Sequence, residues 1–186
     1  RLGFGRFHFV GLSVGGMIGQ VLALRHVKVL DRLVLSSTGT GKASPEQRAM
    51  WDERLNQVRR NGPASLAEGT LLRWFSPDFL KRAPHVAEWI DGLIRGTPAA
   101  GYVGTGIAIK EMNIAPEALG TLRLPTLVIA GEKDPGAPVA GAETFRSRIQ
   151  RAQLTVIPEA MHLCNIEQAH LFPDALLGFL LAGHAD

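Results

Sequence analysis

Residues Phe9–Gln20, FVGLSVGGMIGQ, set one serine among glycines, after an apolar run and before a helical pattern. A serine on a tight strand-to-helix turn has its hydroxyl pushed out above the sheet. Backbone crowding is expected there, and Gly11, Gly15 and Gly16 are placed to relieve contacts that a Cβ would make. Val14 then opens the helix with a backbone N–H that can meet charge developing on a carbonyl oxygen. On this reading Ser13 is a nucleophile and Val14 an oxyanion donor. The same residues also suit a plain strand–helix turn or a phosphate-cradling loop. A dinucleotide loop is disfavoured, because GLSVGG lacks G-x-G-x-x-G spacing.

The surrounding sequence supports a parallel α/β arrangement. RFHFVGL predicts a strand, VGGMIGQVLALRHV a helix with apolar residues at helical spacing, and LDRLVLSST a buried strand. Such a succession makes a right-handed parallel unit. From about Gly39 to Glu117 the texture changes to short helical segments broken by Gly and Pro. The first, SPEQRAMWDERLNQVRR, starts at Ser44 before Pro45, and PASLAEGTLLRWF, SPDFLKRA and HVAEWIDGLIRG follow. Alternation then returns, with LPTLVIAGEKD and AQLTVIPEA as strands and GAETFRSRI and HLFPDALLGFLLAG as helices. The expected organisation is 1–41 and 118–186 as parts of one core, with 42–117 as a helical insertion.

Composition excludes several classes of function. Hydrophobic residues make up 46% and charged residues 20% of 186, a globular balance. The net charge is +3 and the basic residues are scattered, so nucleic acid is not an expected partner. No apolar run approaches the ~20 residues of a membrane span, and no membrane partner is expected. The single cysteine, Cys164, excludes an intrachain disulfide and fits the cytoplasm. It reads as a small apolar packing residue. Six histidines show no HExxH spacing, so no metal is expected. Oligomeric state has no signature here. The first residue is Arg1 rather than methionine and a strand follows almost at once, as expected for the interior of a longer protein.

A hydroxyl nucleophile needs a base, and the base an orienting acid. Asp134 follows an apolar strand in a Gly- and Pro-rich loop, with Glu132 as a competitor for its role. His162 follows the next strand. In parallel sheets the carboxyl ends of strands are where sites form, and the order Ser, Asp, His along the chain matches an α/β-hydrolase. His8, His26, His85, His170 and His184 lack such a setting and read as structural or solvated. Trp51, Trp74 and Trp89 read as packing residues, with Trp74 the candidate pocket wall.

The whole pattern resembles the α/β-hydrolases, and within them the 3-oxoadipate enol-lactonases. FVGLSVGGMIGQVLALRHVKVLDRLVLSST is similar to their nucleophile region. WDERLNQVRRNG, LLRWFSPDF and GY resemble their helical cap, and LPTLVIAGEKDPGAPVAG and MHLCNIEQAHLF their acid and histidine segments. The resemblance implies a mostly parallel sheet with a cap insertion, and hydrolysis of a carboxylated enol-lactone to 3-oxoadipate without cofactor. It implies Ser13 as nucleophile, Asp134 as acid, His162 as base and Val14 as oxyanion donor. Arg73 and Trp74 would touch the substrate, since a guanidinium pairs with a carboxylate. The family's upstream strands have no counterpart in these residues, so RFHFV is expected at a sheet edge. Other hydrolase activities on the same triad, a carboxylesterase or carbon–carbon bond hydrolase, and an inactive scaffold are the alternatives.

Overall fold

The computed structural model describes residues 5–182. These form two compact units: one contains the chain up to Thr40 and from Ile114 onward, the other Gly41–Asn113. His184 lies outside the described residues.

The first unit is built on four parallel strands in the order β1-β2-β3-β4. They are β1 (Phe7–Leu12), β2 (Leu30–Ser36), β3 (Thr126–Gly131) and β4 (Ala152–Ile157). β3 is buried along its whole length, and Leu33, Val34 and Leu35 of β2 are 0% exposed. Continuous apolar runs are what a parallel sheet covered on both faces demands. Burying each of these three side chains contributes about 1.5–3 kcal/mol. Alternation along β2 sends Leu33 to one face and Val34 to the other. Leu33 and Phe9 of β1 meet α1 (Val14–His26) at Gly19. Val34 joins Leu127, Ile129, Ile157, Phe172 and Phe179 in a cluster on the opposite face. β1 lies at the edge of the described sheet, paired with β2.

α1 is a helix, but its buried stripe is Gly16, Gly19, Gln20 and Ala23, while Ile18 is exposed. Small residues bring its axis close to the sheet, and close approach replaces a stripe of large apolar side chains.

The second unit is helical, with α2 (Pro45–Asn61), α3 (Ala67–Trp74), α4 (Pro77–Arg82), α5 (Pro84–Gly96) and α6 (Ala99–Glu111). Ser44 caps α2 through a reciprocal box: Gln47 N–H donates to Ser44 Oγ at 3.2 Å and Ser44 N–H to Gln47 Oε1 at 2.9 Å. Its core holds Leu55, Val58, Phe75, Phe79, Ile90 and Ile94. Phe75 and Phe79 stack with ring centroids 4.9 Å apart. α6 runs through Gly101, Gly104 and Gly106 and lies outside the helical segments quoted from the sequence. At Gly106 a Cβ would sit 2.7 Å from Leu55 Cδ2 and 3.2 Å from the Trp51 ring, so glycine there lets α6 pack on α2. Trp89, expected to be a packing residue, is 59% exposed on α5.

In the first unit α7 (Pro116–Leu119) precedes β3, α8 (Val139–Arg148) joins β3 to β4, and α9 (Cys164–Glu167) and α10 (Leu171–Leu181) follow β4. Among the described residues no helix is long and apolar enough to cross a membrane.

Candidate active site

Ser13 stands between β1 and α1 with φ 54° and ψ −115°. This is a sparsely populated conformation for a residue with a side chain, and it persists only where neighbours enforce it. The enforcing contacts come from the end of β2. Ser13 N–H donates to the Ser36 carbonyl at 2.9 Å, and Thr38 Oγ1 donates to the Ser13 carbonyl at 2.8 Å. Two of the three glycines are needed. A Cβ on Gly11 would lie 2.3 Å from the Gly15 carbonyl oxygen, and one on Gly16 would lie 2.6 Å from Thr38 Cβ. Gly15 itself has open space where its Cβ would be, so the expectation that it relieves crowding does not hold.

This contrast is testable by thermal unfolding. Gly11→Ala overpacks against backbone that cannot rotate away, at the upper end of the about 1–3 kcal/mol typical of overpacking. For a chain of this size its Tm falls by roughly 6–12 °C. Gly15→Ala leaves Tm unchanged or raises it, since alanine favours the helix. Equal losses at both positions would contradict the steric account.

Asp134 lies past the end of β3 with its side chain 0% exposed. Its Oδ1 accepts the N–H groups of Gly136 at 2.8 Å and Ala137 at 3.1 Å. Those bonds aim Oδ2 at His162, whose Nδ1 is 2.8 Å away. The other ring nitrogen, Nε2, is 2.9 Å from Ser13 Oγ. A carboxylate only accepts, so Nδ1 carries the proton and Nε2 is left to accept from the serine hydroxyl. Residues 149 positions apart in sequence are thereby joined in one line of hydrogen bonds. Val14 is the first residue of α1, and its N–H is among the helix-start donors that have no intrahelical acceptor.

Glu132, the sequence's competitor for the acid position, is used otherwise. Its Oε2 accepts the N–H of Glu159 at 2.9 Å, tying the β3 turn to the turn that carries His162. Lys133 N–H donates to the Ala160 carbonyl at 2.9 Å, beside it. Cys164 is fully buried, with Sγ 3.8 Å and 3.6 Å from the Ser36 and Ser37 hydroxyls, and burial pushes its thiol above the ordinary range. A protonated, enclosed sulfur is a packing group rather than a nucleophile. His8, His26, His85 and His170 are exposed.

Arg73 and Trp74 end α3 in the helical unit. Arg73 Nη2 donates to Thr70 Oγ1 at 2.9 Å. Burial lowers the Arg73 guanidinium from its usual value, and the positive charge of Arg54 adds to that. The Tyr102 phenol of the same group is raised by burial. Arg54 lies over the Trp51 ring, 5.4 Å from its centroid. Among the described residues neither Arg54 nor Arg73 has a carboxylate partner. Two half-enclosed cations of like charge repel each other, and a nearby negative charge would relieve that repulsion. Sequence reading singled out Arg73 and missed Arg54 and Tyr102. The available signal was the three-residue spacing of Trp51 and Arg54, which puts both on one helix face.

The alpha/beta hydrolase fold family matches residues 1–169. Over 168 residues the chain is 31% identical to 3-oxoadipate enol-lactonase 2 of Acinetobacter baylyi, covering 90% of this chain and 61% of that protein. The enol-lactonase structure from Burkholderia xenovorans superposes with a TM-score of 0.90 at 32% identity, over 96% of this chain and 67% of that one. A thermophilic esterase from Thermogutta terrifontis gives a TM-score of 0.88 at 30% identity, over 95% and 65%. The chain therefore spans about two thirds of the length of these relatives.

Proposed function

The chain belongs to the α/β-hydrolase family, and we propose that it hydrolyses 3-oxoadipate enol-lactone to 3-oxoadipate through Ser13, His162 and Asp134. The single observation that carries the chemistry is the continuous hydrogen-bonded line from Asp134 through His162 to Ser13. His162 Nε2 takes the serine proton as Oγ attacks the lactone carbonyl. Asp134 stabilises the imidazolium that forms and holds the ring's tautomer. The Val14 N–H meets the tetrahedral oxyanion. Collapse breaks the ring C–O bond and leaves an acyl-serine. The released enol oxygen takes the proton held by the His162 imidazolium, which leaves His162 neutral again, and the enol tautomerises to the ketone. His162 then removes a proton from water, and the resulting attack frees the acid and restores Ser13.

The lactone reading is supported by similarity to two enol-lactonases, and the resemblance of LLRWFSPDF to their cap gives Arg73 as the group that pairs with the substrate carboxylate. The β-ketoadipate pathway and the cytoplasm are the setting this substrate and the lone cysteine suit. Similarity to an esterase at nearly the same identity makes a carboxylesterase the second reading.

Kinetics on a carboxylated enol-lactone and a neutral aryl ester separate the two. The wild type prefers the lactone. Arg73→Ala raises KM for the lactone by roughly tenfold to a hundredfold, the worth of a charge-assisted contact, and leaves the aryl ester's constants nearly unchanged. Preference for the aryl ester, with Arg73→Ala indifferent on both, would establish the second reading instead.

A further inference from the structure

Glu167 ends the short helix α9 with 4% of its surface exposed. It is a buried carboxylate that the proposed reaction does not use. Such a group is costly to enclose unless hydrogen bonds hold it in place. Its Oε2 accepts the backbone N–H of Met161 at 2.8 Å, and Met161 is the residue before His162. The backbone N–H of Glu167 donates in turn to the Leu163 carbonyl at 3.0 Å, one residue beyond His162. Side chain and main chain of Glu167 therefore grip both neighbours of the histidine.

The segment it grips is constrained from the other side as well. Glu159, where the turn begins, has φ 59°, a strained setting that surrounding contacts must maintain. A Cβ on Gly131 would lie 2.2 Å from the Met161 carbonyl oxygen, so the histidine turn sits directly against the end of β3. The Met161 peptide thus has its carbonyl beside Gly131 and its N–H on Glu167. The β3 side limits how near the turn can come, and Glu167 holds it there.

We propose that Glu167 is a positioning residue for His162, its carboxylate fixing the Met161 peptide so that the imidazole spans Asp134 and Ser13. The inference rests on the triad chemistry proposed above, and it concerns geometry rather than substrate. Glu167→Gln keeps an oxygen that accepts from Met161 and removes the charge. Glu167→Leu fills similar space and removes the acceptor.

Two readouts test it in variants shown by circular dichroism to be folded. The first is the low-field proton resonance of His162 Nδ1–H, which reports the bond to Asp134 without any turnover. The second is the rate at which a fluorophosphonate modifies Ser13. Glu167→Leu weakens or abolishes the resonance and slows labelling by roughly a hundredfold, the scale of a small misplacement of reacting groups. Glu167→Gln restores both close to wild type. A folded Glu167→Leu with wild-type resonance and rate overturns the proposal. So does a Glu167→Gln as impaired as the leucine variant, or a leucine variant that fails to fold while the glutamine variant folds yet loses the resonance. A wild type that shows the resonance but resists labelling refutes the acyl-transfer reading, and the resonance still decides the role of Glu167.

Discussion

Ser13→Ala removes turnover of ester and lactone substrates, lowering kcat by roughly 10⁶-fold, the scale seen when a serine nucleophile is deleted from such a unit. The expectation is this large because the alanine cannot form the acyl intermediate, and the remaining groups can only bind and polarise. The fold is not at risk. The turn is enforced by main-chain contacts, from Ser13 N–H to Ser36 and from Thr38 to the Ser13 carbonyl, and alanine keeps both. Alanine adopts the φ of 54° at the same Cβ cost that serine already bears, so stability changes little. Turnover of folded Ser13→Ala at rates near wild type would reject covalent catalysis by this serine.

Asp134→Asn lowers kcat by about 10⁴-fold, and the reason is a proton in the wrong place. Oδ1 of Asp134 accepts two backbone N–H groups, from Gly136 and Ala137. An asparagine keeps those bonds only by putting its carbonyl oxygen there, which turns its NH₂ toward His162. His162 Nδ1 must then accept, and the ring proton moves to Nε2, facing Ser13 Oγ. In that tautomer the imidazole has no lone pair with which to take the serine proton. The double variant Ser13→Ala with Asp134→Asn loses little beyond Ser13→Ala alone, because groups that act as one unit are far from additive. Asp134→Asn activity within tenfold of wild type would show that the hydrogen bond to Nδ1 does not set the tautomer.

The parts of the site that sequence made legible share one feature. Ser13, Asp134 and His162 each follow an apolar run that ends in Gly- or Pro-rich sequence, and strand ends in a parallel sheet converge on one rim. The capped start of α2 at Ser44 was legible for a similar local reason, since its box closes within four residues. What stayed hidden depends on contacts between distant segments. The requirement for glycine at 11 but not at 15 comes from which backbone atom each Cβ would strike. α6 falls outside the helical segments drawn from sequence, where glycine lowers helix propensity, yet Gly106 is the contact that lets it pack on α2. The stripe of α1 escapes a search for large apolar residues, because its packing surface is small. Glu132 reads as a rival for the acid position and Glu167 has no reading in sequence, and only the fold shows that each holds the turn carrying His162.

The central claim is that His162 activates the Ser13 hydroxyl as a nucleophile. Mass spectrometry after reaction with a fluorophosphonate tests it most directly. In that reaction Ser13 Oγ bonds to phosphorus, fluoride departs and His162 takes up the serine proton. One adduct is predicted, on the peptide containing Ser13, absent in Ser13→Ala and strongly slowed in His162→Ala. An unmodified wild-type chain, or an adduct that persists in Ser13→Ala, would contradict it.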